Sequence, residues 1–292
     1  MSRATGNPVA FEPTAEGVAV RAFSESYLRR TREGMWSDSR DSLSRLELES
    51  RERVLDVGCG SGELTRVLAE ECPGEVIGCD VDASLLAFAR ERGPAAEPTP
   101  VVRGDATRLP FADDTFDLVV CQALLINLPD PTVAVREFAR VSTNLVAAVE
   151  PDNGAVAIDS TVPREATLEG RARRAYLAGI ETDVTLGADA AGVFEDAALT
   201  VIASERYEHD RSIEPPYDEQ ALTDARRKAT GAGLADDRGT MLEGDLTDEE
   251  YDALRSEWRD LGRDVIEQMQ DGLYERTETV PFYVTVGHAG SS

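Results

Sequence analysis

Apolar residues in this chain fall into short continuous runs and into longer segments where they recur every three or four positions. Residues 54–57, Val-Leu-Asp-Val, are typical of a buried parallel strand, and the apolar residues of 64–68 have helical spacing. Similar strand-like runs recur at 76–80, 116–120, 145–149, 199–207 and 280–286. Helix-like segments lie between these runs. This alternation predicts an α/β fold with a doubly wound, mostly parallel sheet.

Three glycines separate the strand at 54–57 from its helix. Gly58, Gly60 and Gly62 follow the strand directly, where a missing Cβ permits positive φ and lets a ligand approach the backbone. The free N–H groups at the start of the helix face such a ligand. Asp56 stands at the strand end, where its carboxylate can bind an ammonium group or order water around one. The segment therefore predicts a backbone site for a charged cofactor.

A second acid, Asp80, ends the next apolar run. In an open α/β sheet, an acid at the tip of the second strand reaches the ribose hydroxyls of a nucleoside bound across the strand ends. The glycine spacing narrows the class of nucleoside, because dinucleotide sites use G-x-G-x-x-G whereas this turn is G-x-G-x-G. Asp56 and Glu63 would also repel a pyrophosphate, whereas they attract a sulfonium or ammonium group.

With these motifs the chain resembles the class I S-adenosylmethionine-dependent methyltransferases. Further segments carry the resemblance: Gly104-Asp105-Ala106 followed by Leu109-Pro110-Phe111, then Phe116 to Val120, then Leu128-Pro129-Asp130. The resemblance is close over about residues 50–150 and looser towards the C-terminus. It implies a Rossmann-like sheet of seven strands, mostly parallel with an antiparallel last strand. It also implies S-adenosyl-L-methionine as the cofactor.

The resemblance implies a role for each part of the cofactor site. The glycine turn and Asp56 hold the methionine end, Asp80 binds the ribose, and Val81 lies against the adenine. Asp105 contacts the adenine amino group. The full set of expected cofactor-binding residues is Asp56, Gly58, Cys59, Gly60, Gly62, Asp80, Val81, Asp105, Ala106, Cys121 and Gln122.

The acceptor side departs from the family's usual pattern. Many small-molecule methyltransferases of this kind carry a histidine after the fourth strand, whereas residues 121–127 read Cys-Gln-Ala-Leu-Leu-Ile-Asn. The turn at 150–154 follows the fifth strand, where ligands bind in doubly wound sheets, although its composition also suits a plain turn. We expect four polar side chains near the transferred methyl group and assign none of them as a base: Gln122, Asn127, Glu150 and Asp152.

The charge balance is strongly acidic. The chain has 56 acidic and 30 basic residues, a net charge of −26, and a single lysine, Lys228. Such a chain repels itself at low salt, whereas at molar salt the Debye length falls to about 3 Å and the repulsion largely disappears. The composition therefore favours a protein of a halophile's cytosol over an ordinary acidic protein. It also argues against DNA as a partner, because phosphate binding needs clustered Lys or Arg.

Two compact basic clusters, at 29–32 and 171–174, are interpreted as helix surface paired with nearby acids. If one of them lined a groove, an RNA or protein substrate would be favoured instead. We therefore predict a methyltransferase that acts on a small-molecule acceptor, with an RNA or protein methyltransferase as the first alternative. The second alternative is a protein that binds S-adenosylmethionine without turnover, for which a closed acceptor pocket would be expected.

Length and pattern indicate one enlarged domain. We expect residues 1–48 to form a helical lid segment, with one or two helices over 19–48, and residues 49–292 to form the methyltransferase domain. Tyr27 and Trp36 are candidates to cover the cofactor, with packing against the first strand as the alternative. A helical insertion is expected at about 208–276, because this stretch is too long for a hairpin.

The insertion contains a capping box, Thr247-x-x-Glu250, which predicts the start of a helix. Apolar residues then recur at spacings of three and four from Tyr251 to Val265, so one face of this helix is apolar. We expect that face to pack on the domain or its lid. The alternatives are the seam of a homodimer and the wall of a pocket for an apolar acceptor.

The remaining motifs indicate no further chemistry. Of the four cysteines, Cys59 and Cys121 flank the expected cofactor site and are interpreted as small buried residues rather than as a nucleophile or metal ligand. The two histidines lie far apart, so no metal site is predicted. No apolar run is long enough for a bilayer, and residues 1–18 lack the blocks of a signal peptide. We expect a cytoplasmic protein with no membrane partner.

Overall fold

The computed structural model describes residues 9–13, 19–23, 35–36, 39–91 and 100–290. The chain divides into two compact units. Among the described residues, the core unit lies within 9–152, 185–207 and 281–290, and the accessory unit lies within 153–184 and 208–280. The insertion expected at 208–276 thus belongs to the accessory unit. Residues 153–184, which the sequence does not separate from the methyltransferase domain, belong to it as well.

The first described elements are two antiparallel strands, β1 (Val9–Pro13) and β2 (Ala19–Phe23). A helix was expected at β2, and that prediction is wrong for these five residues. The pairing of β2 with β1 satisfies its backbone groups, and its short sequence lacks the three-and-four spacing that holds a helix on a core. Two 3-10 helices follow at Arg40–Leu46 and Leu48–Ser50.

The main sheet has eight strands. They are β3 (Arg53–Val57), β4 (Glu75–Asp80), β5 (Val101–Arg103), β6 (Phe116–Gln122), β7 (Ser142–Pro151), β8 (Ala157–Ser160), β9 (Thr200–Ile213) and β10 (Arg276–His288). The order is β5-β4-β3-β6-β7-β10-β8, and β9 also pairs with β10. The strands from β5 to β7 are parallel, whereas β10 is antiparallel to β7. This arrangement confirms the predicted doubly wound fold.

The sheet differs from the prediction by one strand. The seven expected strands are present, and β8 is added to them. β8 pairs with the first residues of β10, and this pairing belongs to the accessory unit. With four residues, β8 is too short to give a readable alternation of apolar and polar positions.

Nine helices connect the strands within the described residues. They are α1 (Glu63–Glu71), α2 (Ala83–Glu91), α3 (Pro131–Val141), α4 (Glu165–Ala178), α5 (Ala190–Asp196), α6 (Glu219–Thr230), α7 (Ala232–Asp236), α8 (Arg238–Glu243) and α9 (Asp248–Gln270). In the core unit, α3 begins sharply because Asp130 accepts a hydrogen bond from the Thr132 N–H and Pro131 opens the first turn. Its Phe138 is fully buried in the same hydrophobic core as Val119 of β6 and Val146 of β7.

The accessory unit is built around α9. The capping box of Thr247 and Glu250 is present, which confirms that part of the prediction. The apolar face from Tyr251 to Val265 is buried in the unit's own core, so it is neither a dimer seam nor a pocket wall. A Cβ at Gly262 would collide with the backbone of Ala229, so glycine allows α9 and α6 to cross closely. No helix among the described residues has the length and apolarity to cross a membrane.

Candidate functional site

Strand register brings the predicted site residues to one edge of the core sheet. Val57 on β3 is in register with Cys79 on β4 and with Cys121 on β6. Because these strands are parallel, the residues that follow reach the same level at their carboxyl ends. Those residues are Gly58, Asp80 and Gln122. Residues far apart in the sequence therefore meet where ligands bind in this class of sheet.

The glycine turn after β3 has the conformation that its sequence predicts. Gly58, Gly60 and Gly62 have φ angles of 69°, 54° and 83°, in the left-handed region that favours glycine. The Gly58 N–H donates to the Cys79 carbonyl at 2.7 Å, which fixes the turn to β4. A Cβ at Gly58 would lie 2.9 Å from Cδ1 of Leu124. Only glycine fits at this position without displacing its neighbour.

Asp80 binds the backbone of the glycine turn. Its Oδ2 accepts a hydrogen bond from the Gly60 N–H at 2.8 Å, and its Oδ1 accepts one from the Asp82 N–H at 2.9 Å. Burial raises the pKa of Asp80, and the two backbone donors oppose that shift. The acid at the tip of the second core strand thus lies against the glycine turn, as its spacing predicts.

An open pocket lies beside the glycine turn. Its lining consists of Asp56, Gly58, Cys59, Gly60, Ser61, Glu63, Leu64 and Gln122. Five of these eight residues are expected cofactor-binding residues, whereas Ser61, Glu63 and Leu64 were not included in that set. Within the described residues, the lining contains two acids and no Lys or Arg. Such a pocket attracts a cation and repels a pyrophosphate.

Asp56 is fixed below this pocket. Its side chain is buried, and its Oδ2 accepts a hydrogen bond from Oγ1 of Thr65 at 2.6 Å. Thr65 lies in the first turn of α1, so the bond joins the end of β3 to the helix after the glycine turn. Sequence reasoning missed Thr65. The available signal was a polar hydroxyl on the apolar face of the predicted helix, close in the chain to Asp56.

The expected adenine-binding residues follow β4 and β5. Val81 is exposed, and its carbonyl accepts a hydrogen bond from Nε of Arg103 at 2.9 Å. Asp105 is also exposed, and its Oδ1 accepts bonds from the N–H and the hydroxyl of Thr107, both at 2.8 Å. Ala106 is half-buried against the core. These residues lie outside the pocket beside the glycine turn, on the side of the neighbouring strand ends.

The cysteines near the site are buried thiols. Burial, with Asp56 and Asp80 nearby, raises the pKa of Cys59 well above its ordinary value. Burial likewise raises the pKa of Cys121, and it raises the pKa of Cys79 to about 12. All three therefore stay protonated at neutral pH and are poor nucleophiles. Among the described residues, no group of three or more His, Cys, Asp or Glu could hold a metal ion.

The four polar side chains expected near the methyl group have different surroundings. Gln122 lines the pocket, and its Nε2 donates to Sδ of Met35 at 2.8 Å. Asn127 is buried and donates from Nδ2 to the Ala123 carbonyl at 2.8 Å. Glu150 is fully buried, whereas Asp152 is half-buried. Of these four residues, Gln122 is the one that lines the pocket beside the glycine turn.

Aromatic residues pack beside this edge of the sheet. Trp36 is buried and lies 5.9 Å from the Tyr207 ring, which in turn stacks on Phe282 at 5.5 Å between centroids. Sequence reasoning proposed Trp36 but missed Tyr207 and Phe282, because strand positions so distant in the chain carry no local signal. Tyr27, the other proposed aromatic residue, lies outside the described residues.

Comparison with known proteins identifies the kind of domain. Residues 55–144 match a family described as "Methyltransferase domain". A demethylmenaquinone methyltransferase of Lactiplantibacillus plantarum is 41% identical over 107 residues, which cover 35% of this chain and 45% of that protein. The protein of the same name from Shouchella clausii is 36% identical over 107 residues, covering 35% and 46%. The chain thus spans less than half the length of these curated relatives.

Solved structures extend the likeness of fold over more of the chain. A Bacillus halodurans protein assigned as a methyltransferase has a TM-score of 0.53 at 17% identity, covering 87% of this chain and 100% of that chain. A Haloferax volcanii protein assigned as a methyltransferase, solved with the Trm112 methyltransferase activator, has a TM-score of 0.52 at 20% identity, covering 91% of this chain and 95% of that chain. At these identities the likeness shows the fold alone.

Proposed function

We propose that this chain, whose residues 55–144 match a methyltransferase domain, transfers a methyl group from S-adenosyl-L-methionine to a small-molecule acceptor. One observation carries the proposal: Asp80 accepts a hydrogen bond from the Gly60 N–H beside a pocket that contains two acids. This arrangement suits S-adenosylmethionine, because it offers an acid for the ribose, a glycine turn for the methionine end and two acids for the positive charge.

The residues around the pocket fit S-adenosylmethionine. The glycine turn gives the methionine end close access to the backbone, and Asp56 and Glu63 favour its ammonium and sulfonium charges. Each carboxylate oxygen has a second acceptor site, so Asp80 can bind ribose hydroxyls while it holds Gly60. Val81 and Asp105 follow the neighbouring strand ends, where the adenine is expected. The bound cofactor supplies an electrophilic methyl group on a sulfonium.

The chain's own contribution to methyl transfer is then to orient the acceptor and exclude water. The displacement is in line, so the acceptor atom must face the methyl group opposite the sulfur. Gln122 is a polar group on the pocket wall that can orient an acceptor, and Met35 covers its amide. A phenol, enol or acidic carbon would need a base, whereas an amine or thiol can lose its proton to solvent.

Two observations support a small-molecule acceptor over RNA or protein. The curated relatives are named for methylation of demethylmenaquinone, a small molecule. In addition, two arginines of the basic cluster at 171–174 are paired with acids: Arg171 binds Glu257 at 2.7 Å, and Arg173 lies 3.8 Å from Glu278. Paired guanidinium groups form a poor phosphate-binding groove.

We further propose that the protein is cytoplasmic and functions at high salt. The net charge of −26 and the single lysine support it, as do exposed ion pairs formed by arginine, such as Arg45 with Glu205. Molar salt screens the self-repulsion of such a surface. We expect the melting temperature to rise between low and molar KCl. A melting temperature that does not rise would contradict the halophilic part of the proposal alone.

Calorimetric titration with S-adenosylhomocysteine in molar KCl tests the proposal. Wild-type binding is expected in the micromolar range, weakened at least tenfold by Asp80→Ala, which corresponds to about 1.4 kcal/mol. Glu75→Ala is the matched control, because Glu75 is an exposed acid at the opposite end of the same strand. No wild-type binding by a folded protein would refute the proposed cofactor.

A turnover assay separates an enzyme from a non-catalytic binding protein. S-adenosylhomocysteine release is measured with a panel of phenols, quinols, amines and thiols, and with RNA and peptide mixtures as comparison substrates. Release with a small molecule supports the proposal. Tight cofactor binding with no release for any class would favour a sensor or scaffold, and release with RNA or peptide alone would favour the other alternative.

A further inference from the structure

Glu150 binds the turn that follows β6. Its side chain is fully buried at the end of β7. Its Oε1 accepts hydrogen bonds from the N–H groups of Leu124 at 3.1 Å and Leu125 at 2.9 Å, and its Oε2 accepts one from Ile126 at 3.4 Å. One carboxylate thus satisfies three successive backbone donors at the start of the 3-10 helix Leu125–Asn127.

This turn lacks a cap of its own. Its N-cap residue is Leu124, which offers no side-chain acceptor, so the first N–H groups need an acceptor from elsewhere. Glu150 comes from the neighbouring strand, where Val149 is in register with Gln122. A carboxylate in this position accepts charge-assisted hydrogen bonds, which are stronger than neutral ones.

The residue between β6 and the bound N–H groups is strained. Ala123 has a φ of 44°, which is uncommon for a residue with a Cβ. Its N–H donates to the Val149 carbonyl at 2.9 Å, and its carbonyl accepts from Asn127. Such a conformation persists where the surrounding contacts hold it. Glu150 holds the next three residues and so maintains the left-handed turn.

The strained turn places one side chain on the wall of the cofactor pocket and another against the glycine turn. Gln122 precedes Ala123 and lines the pocket, and Leu124 follows it and lies against Gly58. A change in the backbone at Ala123 would therefore move the pocket wall and the packing on the glycine turn together. Glu150 acts on the pocket through this turn, because its carboxylate binds the backbone N–H groups of the residues that follow Ala123.

We propose that Glu150 is a positioning residue, which fixes the turn after β6 so that Gln122 lines the S-adenosylmethionine pocket and Leu124 packs against Gly58 of the glycine turn. The inference deepens the proposed function and rests on it. It replaces the expectation that the Glu150 carboxylate lies beside the transferred methyl group. Its carboxylate binds three backbone N–H groups and lies 3.7 Å from the Cys121 thiol, so these contacts hold parts of the protein itself.

Variants at position 150 separate the contributions of its two oxygens. Glu150→Gln keeps one acceptor oxygen for Leu124 and Leu125 but places an amide donor opposite the Ile126 N–H. Glu150→Ala removes every acceptor. The matched control is Glu165→Gln, because Glu165 is also fully buried but belongs to the accessory unit. This control measures what loss of a buried carboxylate does to the protein away from the pocket.

The experiment combines S-adenosylhomocysteine titration with hydrogen exchange measured by mass spectrometry, both in molar KCl. We expect exchange to accelerate in the peptide containing residues 123–127 in Glu150→Gln and further in Glu150→Ala. We expect affinity to fall at least tenfold in Glu150→Ala, with an intermediate loss in Glu150→Gln and an unchanged affinity in Glu165→Gln. If Glu150→Ala does not fold, the affinities of Glu150→Gln and Glu165→Gln are compared to test the positioning role.

The outcomes distinguish the two proposals. Faster exchange at 123–127 with unchanged affinity would show that the Glu150 carboxylate stabilises the turn without shaping the pocket, which overturns the positioning role. Equal losses of affinity in Glu150→Gln and Glu165→Gln would overturn it as well, because the effect would then be global. If the folded wild type binds no S-adenosylhomocysteine, the proposed function fails, and the positioning role fails with it.

Discussion

The ammonium group of Lys228 is bound to the carboxylate of Glu165 inside the accessory unit. Lys228 also binds Glu169 at 2.7 Å and lies 5.4 Å from the centre of the Trp258 ring. Glu165 is fully buried and accepts a further hydrogen bond from the Tyr274 hydroxyl at 3.0 Å. The single lysine of the chain thus neutralises carboxylates that have been removed from water.

Loss of Lys228 should destabilise the accessory unit strongly. Lys228→Met leaves Glu165 without its ammonium partner, and breaking one side of a buried pair costs about 3–5 kcal/mol. Arg164→Ala is the control, because its pair with Asp264 is exposed and such pairs contribute at most about 1 kcal/mol. Urea unfolding followed by tryptophan fluorescence measures both. A loss below 1 kcal/mol for Lys228→Met would show that the pair contributes little.

The same burial should protect Lys228 from chemical modification. An amine-reactive reagent needs an exposed, unprotonated amine, whereas this ammonium is nearly buried and bound by two carboxylates. We expect the peptide that carries Lys228 to stay unmodified in the native protein and to react fully in urea. Mass spectrometry of that peptide reports the result directly, since no other side-chain amine exists in the chain. Rapid native modification would contradict the buried network.

Acid should weaken the accessory unit through Glu169. Burial alone would raise the pKa of Glu169, but Lys228 and Arg276 together lower it below its ordinary value. A carboxyl group with a lowered folded pKa contributes stability above its unfolded pKa and loses it as the pH falls towards the folded value. The difference in free energy of unfolding between wild type and Glu169→Gln should therefore shrink as the pH falls below about 4.5. A constant difference would refute this assignment.

Gly58 should be required for the conformation of its turn, whereas Gly192, also in the core unit, should be replaceable by alanine. Gly58→Ala imposes left-handed strain and contact with Leu124, together about 2–5 kcal/mol. Gly192 is exposed in α5 with open space around it, so Gly192→Ala should stabilise by up to about 1 kcal/mol. Denaturant unfolding compares the two. Equal effects would show that the turn tolerates a Cβ.

Cofactor affinity should depend on the ionisation of Asp80. Burial raises its pKa, so the carboxylate takes up a proton at a higher pH than an ordinary aspartate does. A protonated carboxyl group loses acceptor capacity for ribose hydroxyls, and S-adenosylhomocysteine affinity should fall as the pH decreases through this range. Asp80→Asn, which does not titrate, should bind weakly with a flat pH profile. A wild-type profile that is flat to pH 4 would contradict the role of Asp80.

Much of the cofactor side could be predicted from the sequence because its signals are local. The strand at 54–57, the three glycines and the helix after them are consecutive, and each conformation follows from the residues present. Asp80 is almost as local, because it ends the next strand. Thr247 and Glu250 predicted the start of α9 for the same reason, since a capping box is complete within four residues.

The sequence by itself determined the alternation of strands and helices, the glycine turn and the acidic character of the chain. The tertiary structure decided which distant groups meet: Glu150 with the N–H of Leu125, Lys228 with Glu165, and Trp36 with Tyr207. The physical reason is the distance along the chain between the residues that interact. Backbone conformation follows from neighbours in the chain, whereas a buried carboxylate takes whatever donors packing brings within hydrogen-bond distance, and spacing in the sequence does not encode them.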